Sequence, residues 1–443
     1  MIKHLPPVKL HGTIAAPPSK SSLHRLLISA ALTEYAEQSS IRILTAPYSA
    51  VSDFGEDVSA TVDCLTALGF GIAYNNGVFA VRFDNPDLSD TFPILNVRES
   101  GSTFRFMLPL AAYFVNRTNR SPKSIAFVGG GKLPDRPIIP LVKTLAVNGA
   151  QFVFPAEPPT KVGDTMQYNE YPTFAKNKKA LPVTVEGRLA FGQFEIPANV
   201  SSQFVSGLLF ILPLLDGASI KYTSPPQSLG YIKMTEQAMS QFGVAVTGDT
   251  VLTARDSYRK ITDTVTAEGD WSNSAFWLAA NGGNVTVTGL DNNSEQSDKD
   301  ILSIINRAAT GITHDFTHCP DLFPIVSVLA AATNGTSILR GVSRLKAKES
   351  DRISAMRELL AAVSDNRVVF IHDEAADTVT ITSSGAPFTG GNVSAYNDHR
   401  IAMSAAVAAT YSKGEIVLDG AESVNKSYPN FWADYARLTV KTT

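Results

Sequence analysis

Short apolar, β-rich runs alternate with helical stretches along the whole chain. Strand-like runs fall at 41–45, 124–128, 218–223, 284–288, 336–340 and 415–418, and each leads through a polar or Pro-rich loop into a helix. Leu23, Leu26, Leu27, Ala30 and Ala31 form an apolar stripe at helical spacing. Apolar helices are expected over 106–114, 204–215, 322–332, 353–363 and 401–411. Gly69, Gly149 and Gly243 follow helical stretches, where a left-handed C-cap favours glycine. Strands alternating with helices predict an α/β architecture. The strand–loop–helix unit recurs six times, which suggests two domains of three copies each. The polar stretch 161–179, Lys-rich at its end, is read as a surface insertion.

The loops carry the chemistry. In Lys346-Ala347-Lys348-Glu349-Ser350-Asp351-Arg352 five of seven residues are charged, with both signs interleaved. Such a run alone is more often a solvated helix start than a site. However, Pro18-Ser19-Lys20-Ser21-Ser22-Leu23-His24-Arg25 also sets cations at a helix N-terminus, with Ser19 or Ser21 as the cap. The helix dipole disfavours cations there by some tenths of a kcal/mol, unless an anion is bound. The same anomaly opens the helices after Glu99-Ser100-Gly101-Ser102-Thr103, Asp135-Arg136-Pro137 and Asn397-Asp398-His399-Arg400. Val200-Ser201-Ser202-Gln203 offers hydroxyls and an amide, although plain capping explains its serines equally well. If these loops converge, Lys20, Arg25, Arg136, Lys348, Arg352, Arg400 and Lys426 line one cleft for a strongly anionic ligand. Glu349 lies between Lys348 and Arg352, and Asp321 precedes an apolar helix, as a cap or as a base. General acid–base catalysis on a bound anion is the chemistry on offer.

Composition narrows the field. The chain has 443 residues, 44% apolar and 18% charged, as in a soluble multidomain protein. A net charge of −3 argues against a general nucleic-acid binder. Cys64 and Cys319 form neither a disulfide framework nor a metal-type pair. The N-terminal residues lack a signal-peptide core, and the apolar run 208–215 is too short to span a membrane. A cytoplasmic location is the expectation. GxxxxGK[ST] and GxGxxG are absent, so a bound phosphate need not belong to a nucleotide, and neither an HExxH metal motif nor a GxSxG nucleophile elbow is present.

Together these segments resemble the 5-enolpyruvylshikimate-3-phosphate synthase family. The further matches are Ser201-Ser202-Gln203-Phe204, Glu268-Gly269-Asp270-Trp271-Ser272, Lys348-Glu349-Ser350-Asp351-Arg352 and Asn425-Lys426-Ser427-Tyr428-Pro429. They run in the family's order over essentially the whole chain.

The resemblance implies the two-domain enolpyruvyl transferase fold, an inside-out α/β barrel in which each domain holds three βαβαββ repeats. One domain would comprise 1–18 and 267–443 and the other 19–266, with the active site in the cleft. It implies transfer of the carboxyvinyl group of phosphoenolpyruvate to the 5-hydroxyl of shikimate 3-phosphate, releasing phosphate, by a monomer that needs no cofactor. Carried over by position, Lys20, Ser21, Arg25, Ser201, Ser202, Gln203, Ser228, Tyr231, Asp321 and Lys348 would hold shikimate 3-phosphate. Lys20, Gly101, Arg136, Gln203, Arg352, Arg400 and Lys426 would hold phosphoenolpyruvate. Asp321 would be the base and Glu349 the proton donor, assisted by Lys20 and His399.

Two positions depart from the pattern: Glu99 and Arg344 stand where many members have Asn. Gly101 is kept, so this position does not suggest a block to the herbicide glyphosate. The related transferase acting on UDP-N-acetylglucosamine typically carries a reactive cysteine in the loop corresponding to 129–136, where this chain has none. A non-catalytic phosphosugar- or RNA-end-binding module is the alternative from another class. The acidic balance and the placement of Asp321 and Glu349 among cations argue against it.

Overall fold

The computed structural model describes residues 1–443 except 39, 85, 155–160, 163–164, 167–178, 191, 281–283 and 441–443. The expected insertion at 161–179 thus lies mostly outside the described residues.

The chain divides into two compact units. The first holds Met1–Ser19, Asp53–Gly55 and Glu268–Thr443, and the second holds Lys20–Ser52 and Glu56–Ala267.

Three four-stranded sheets build the second unit, in the orders Ile94–Asn96, Ile125–Val128, Val183–Gly187, Ala150–Val153; then Gln193–Pro197, Ser219–Ser224, Val251–Arg255, Ala245–Thr247; and Thr264–Thr266, Ile41–Leu44, Val78–Phe83, Phe70–Asn75. In each sheet the first pair is parallel and the other two are antiparallel. The first unit repeats this pattern in Thr313–Asp315, Asn334–Arg340, Thr378–Ser384 and Val369–Asp373. Its terminal segments add to three smaller sheets, one of them the antiparallel pair Lys9–Leu10 with Thr439–Val440. Ile2–Leu5 pairs antiparallel with Ile416–Asp419, and Gly12–Ala15 lies parallel to Val285–Thr288.

The expected helices are present, and all but the one starting at Phe323 begin earlier than expected. They are Lys20–Glu37, Gly101–Phe114, Ser202–Ile211, Phe323–Ala332, Arg352–Ser364 and His399–Ala409. The glycine, serine or charged residue read as a preceding loop is therefore often the first helical turn.

Several of these helices are apolar all round and so must be central. Every residue of His399–Ala409 is buried. In Gly101–Phe114 all but Ser102 are buried, and in Ser202–Ile211 all but Gln203. Those two helices pack closely, since a Cβ on Gly207 would overlap the carbonyl of Arg105. A helix enclosed along its length can meet a ligand only at an end, and the polar residues stand at the N-terminal ends.

One expectation needs correction. Arg136 does not open a helix: Leu133–Asp135 is a separate tight turn, Arg136 is extended, and the next helix is Ile139–Val147. Pro137 explains this, because a residue before proline is pushed out of the helical region. Among the described residues, no helix is long and apolar enough to cross a membrane.

Candidate active site

In the unit that holds both termini, the charged residues form a single network around Arg352. This guanidinium is 1% exposed. Its Nη1 donates to Asp321 Oδ1 at 2.7 Å, its Nη2 to Glu349 Oε2 at 2.7 Å and its Nε to Asp398 Oδ2 at 2.9 Å. Asp321 also accepts from Arg400 Nη2 at 3.0 Å, and Lys348 Nζ lies 3.5 Å away. Asp321 is therefore not a helix cap. It sits in the tight turn Pro320–Leu322, facing three cations.

Burial pushes the Asp321 carboxyl up, but Arg400, Lys348 and Arg352 outweigh it and hold Asp321 well below the usual carboxylate range. Burial likewise lowers the Lys348 ammonium, to about 8, because Asp321 only partly offsets the loss of water. Lys348 is thus a cation whose proton is easily removed.

The strand–helix junction before Arg400 explains how this geometry is kept. Asp398 is fully buried and caps the helix His399–Ala409, accepting from Arg400 N at 2.9 Å. It accepts from Ser350 Oγ at 3.0 Å as well, joining the two loops. Before it, Tyr396 and Asn397 have φ of 52° and 56°. Two successive left-handed residues, one of them a bulky tyrosine, are strained backbone of the kind that surrounding bonds must enforce. One such bond comes from Lys426, whose Nζ donates to Asn397 O at 2.6 Å. His399 is buried, with Nδ1 4.0 Å from Asp398 Oδ1. Arg344 donates to Thr317 O at 2.6 Å.

In the second unit the polar groups meet mostly neutral partners. Arg25, 2% exposed, donates to Thr235 Oγ1 at 2.8 Å, Ser21 O at 2.6 Å and Tyr231 O at 2.9 Å. The three anchors come from two helices and bring Ser21 and Tyr231 together. Ser228 caps the Tyr231 helix with φ 53° and is buried. Lys20 pairs with Asp57 at 2.8 Å.

Gln203 is placed by Arg105, which donates to its Oε1 at 2.6 Å and to Pro137 O at 3.0 Å. Ser201 caps the Gln203 helix, accepting from Gln203 N, and Ser202 is buried in its first turn. Gly101 is dictated by space: a Cβ there would lie 2.6 Å from Arg136 Nη1 and 3.1 Å from Arg105 Nη1. A Cβ at Gly131 would overlap the carboxylate of Glu99, so Glu99 lies against the glycine loop. His24 is held between Thr61 Oγ1 at 2.7 Å and Ser102 Oγ at 3.3 Å. Burial, reinforced by Lys20 and Arg25, keeps it well below the usual histidine range and therefore neutral.

The structure thus places Asp321, Lys348, Glu349, Arg352, His399, Arg400 and Lys426 in the first unit. Lys20, Ser21, Arg25, Gly101, Arg136, Ser201, Ser202, Gln203, Ser228 and Tyr231 lie in the second. Four organising residues were missed from sequence: Asp57, Arg105, Thr235 and Asp398. Arg105 carried a signal, standing four residues after Gly101 on the same helix face.

A model of the family EPSP synthase (3-phosphoshikimate 1-carboxyvinyltransferase) matches residues 5–166, 173–316 and 298–435. The chain belongs to the EPSP synthase family. A 3-phosphoshikimate 1-carboxyvinyltransferase from Clostridium kluyveri is 34% identical over 456 residues, covering 98% of this chain and 96% of its own. One from Clostridium acetobutylicum is 32% identical over 455 residues, with coverage of 98% and 96%. Among solved structures, an EPSP synthase from Acinetobacter baumannii matches the fold with a TM-score of 0.72 at 22% identity, covering 99% of this chain and 98% of its own. The enolpyruvyl transferase NikO from Streptomyces tendae matches at 0.68 and 14% identity, covering 99% and 97%. This EPSP synthase family member therefore has the two-domain enolpyruvyl transferase fold.

Proposed function

We propose that this chain transfers the carboxyvinyl group of phosphoenolpyruvate to the 5-hydroxyl of shikimate 3-phosphate and releases phosphate. The observation that carries the mechanism is Asp321, ionised and touched by Arg352, Arg400 and Lys348, with Glu349 on the same Arg352.

In the resting protein Arg352 is fully engaged by carboxylates, so an anionic substrate must compete for it. When the phosphoenolpyruvate carboxylate or phosphate takes up Arg352 and Arg400, Asp321 loses charges that hold it ionised, and Arg352 gives up its bond to Glu349. Asp321 then becomes a better proton acceptor. Asp321 accepts the proton of the 5-hydroxyl as its oxygen attacks C2. Glu349 delivers a proton to C3, giving a tetrahedral intermediate. Loss of a proton from C3 and departure of phosphate restore the double bond, with Lys20, Arg136 and Lys426 offsetting the charge on the leaving phosphate. Arg25 supplies a rigid guanidinium for the shikimate phosphate, supported by Ser21, Ser201, Ser202, Ser228 and Tyr231. Gln203, held by Arg105, touches both substrates in this reading, and Gly101 leaves room for Arg136. His399, beside Asp398, assists these proton transfers in this reading.

Phosphate release from phosphoenolpyruvate tests the proposal, with shikimate 3-phosphate and UDP-N-acetylglucosamine as parallel acceptors. Release with shikimate 3-phosphate alone is expected. Release with the nucleotide sugar alone, or with neither, would refute it.

A further inference from the structure

One buried carboxylate near Asp321 has no part in the steps above. Asp298 is 2% exposed and lies in the helical turn Ser297–Asp300. Its Oδ2 accepts from Ser272 Oγ, while Oδ1 is buried and has no hydrogen-bond partner among the described residues. The neighbouring chain is firmly held: Trp271 N donates to Gln296 Oε1 at 3.0 Å, and Gln296 Nε2 donates to Gly269 O at 2.8 Å.

The groups that face Asp298 come from three elements. Asp270 and Ser272 belong to the start of the helix Trp271–Leu278, Asp321 and Cys319 to the turn before Phe323, and Arg400 to the helix His399–Ala409. On its own turn Asp300 is exposed, and the Lys299 ammonium is held by Ser294 O at 2.7 Å and Asn292 O at 3.4 Å. A bare carboxylate at 298 would leave a buried oxygen unsatisfied beside two further carboxylates. Arg400 offers limited relief, because it is already bonded to Asp321.

We infer that Asp298 is a positioning residue for the Asp321–Arg400 pair: as a neutral acid it leaves Arg400 to Asp321 and the incoming anion, and as a carboxylate it competes for that guanidinium. The inference rests on the reading in which Arg400 receives phosphoenolpyruvate. Burial, reinforced by the Asp321 charge, pushes Asp298 up to about 7. Of two neighbouring carboxyls, Asp321 keeps the charge because it touches the cations, and Asp298 keeps the proton. As pH rises through about 7, the site gains a negative charge and phosphoenolpyruvate binding weakens. An asparagine at 298 cannot gain that charge.

The test is the KM for phosphoenolpyruvate of wild type and Asp298→Asn at saturating shikimate 3-phosphate, from about pH 6 to about pH 8.5. Taking the wild-type to variant ratio at each pH cancels titrations that both share, including those of the substrate and Lys348. The KM ratio should climb about three- to tenfold across the range while the kcat ratio stays flat. A purely structural role would give a ratio independent of pH, and that result overturns the inference. Asp298→Ala serves if the asparagine variant does not fold, since its cavity acts equally at every pH.

A second measurement needs no turnover. The infrared difference between wild type and variant should show a protonated-carboxyl band that titrates away near neutrality. Its absence below about pH 6 overturns the inference. A clear band in protein that releases no phosphate would uphold the neutral acid and sink the carboxyvinyl reading instead.

Discussion

Around Arg352, in the unit with both termini, one guanidinium meets three carboxylates. Around Arg25, in the other unit, the same group meets a hydroxyl and two backbone carbonyls. Both arginines are buried, but the hydrogen-bond partners described for one are carboxylates and those described for the other are neutral. A guanidinium held by neutral acceptors keeps its attraction for an external anion. One surrounded by carboxylates organises them and makes their protonation depend on whatever competes for it. The Arg25 side of the molecule is thus suited to holding a phosphate, and the Arg352 side to moving protons.

The contrast can be broken most severely at Asp398. Replacing this fully buried partner by alanine takes one of three carboxylates from Arg352, leaves its buried Nε without that acceptor and uncaps the helix His399–Ala409. A destabilisation of about 3–5 kcal/mol is expected, read from denaturant unfolding. A loss below about 1 kcal/mol would mean that Arg352 does not depend on Asp398.

At Arg25 the expected loss is in binding. Arg25→Met should weaken shikimate 3-phosphate by roughly 1.5–3 kcal/mol, the value of a charge-assisted bond, measurable by calorimetry. Because the acceptors described for it, Thr235 Oγ1, Ser21 O and Tyr231 O, are neutral, stability should fall less than in Asp398→Ala.

A smaller effect belongs to Lys348. Its ammonium, lowered to about 8 by burial, is charged below that pH and neutral above it. Affinity for shikimate 3-phosphate should therefore decline as pH rises past about 8, and Lys348→Met should abolish that dependence. Smallest of all, the exposed pair Arg98–Asp63 at 2.7 Å should contribute no more than about 1 kcal/mol. Asp63→Ala should leave both binding and turnover unchanged.

Much of this was legible in the sequence because each unusual helix start violates the dipole rule in the same way. Lys20, Arg25, Arg352 and Arg400 could be singled out by local chemistry, and their helices followed from apolar spacing. What could not be read were their partners. Thr235 lies 210 residues from Arg25, Asp398 46 from Arg352 and Gln203 98 from Arg105. No local pattern specifies such pairs; they exist because buried helices bring their N-termini together. Arg136 was misplaced for a local reason, as the proline after it ends the helical geometry that the charge pattern suggested. Asp298 escaped notice because an aspartate in a polar turn looks ordinary until its burial is known.

The division of labour is tested most directly by one pair of readings on Glu349→Gln: turnover, and affinity for shikimate 3-phosphate. Phosphate release should fall by roughly 10²-fold or more, while shikimate 3-phosphate binds nearly as in wild type. Equal losses in both would contradict the account, because Glu349 would then be holding the substrate rather than supplying its proton.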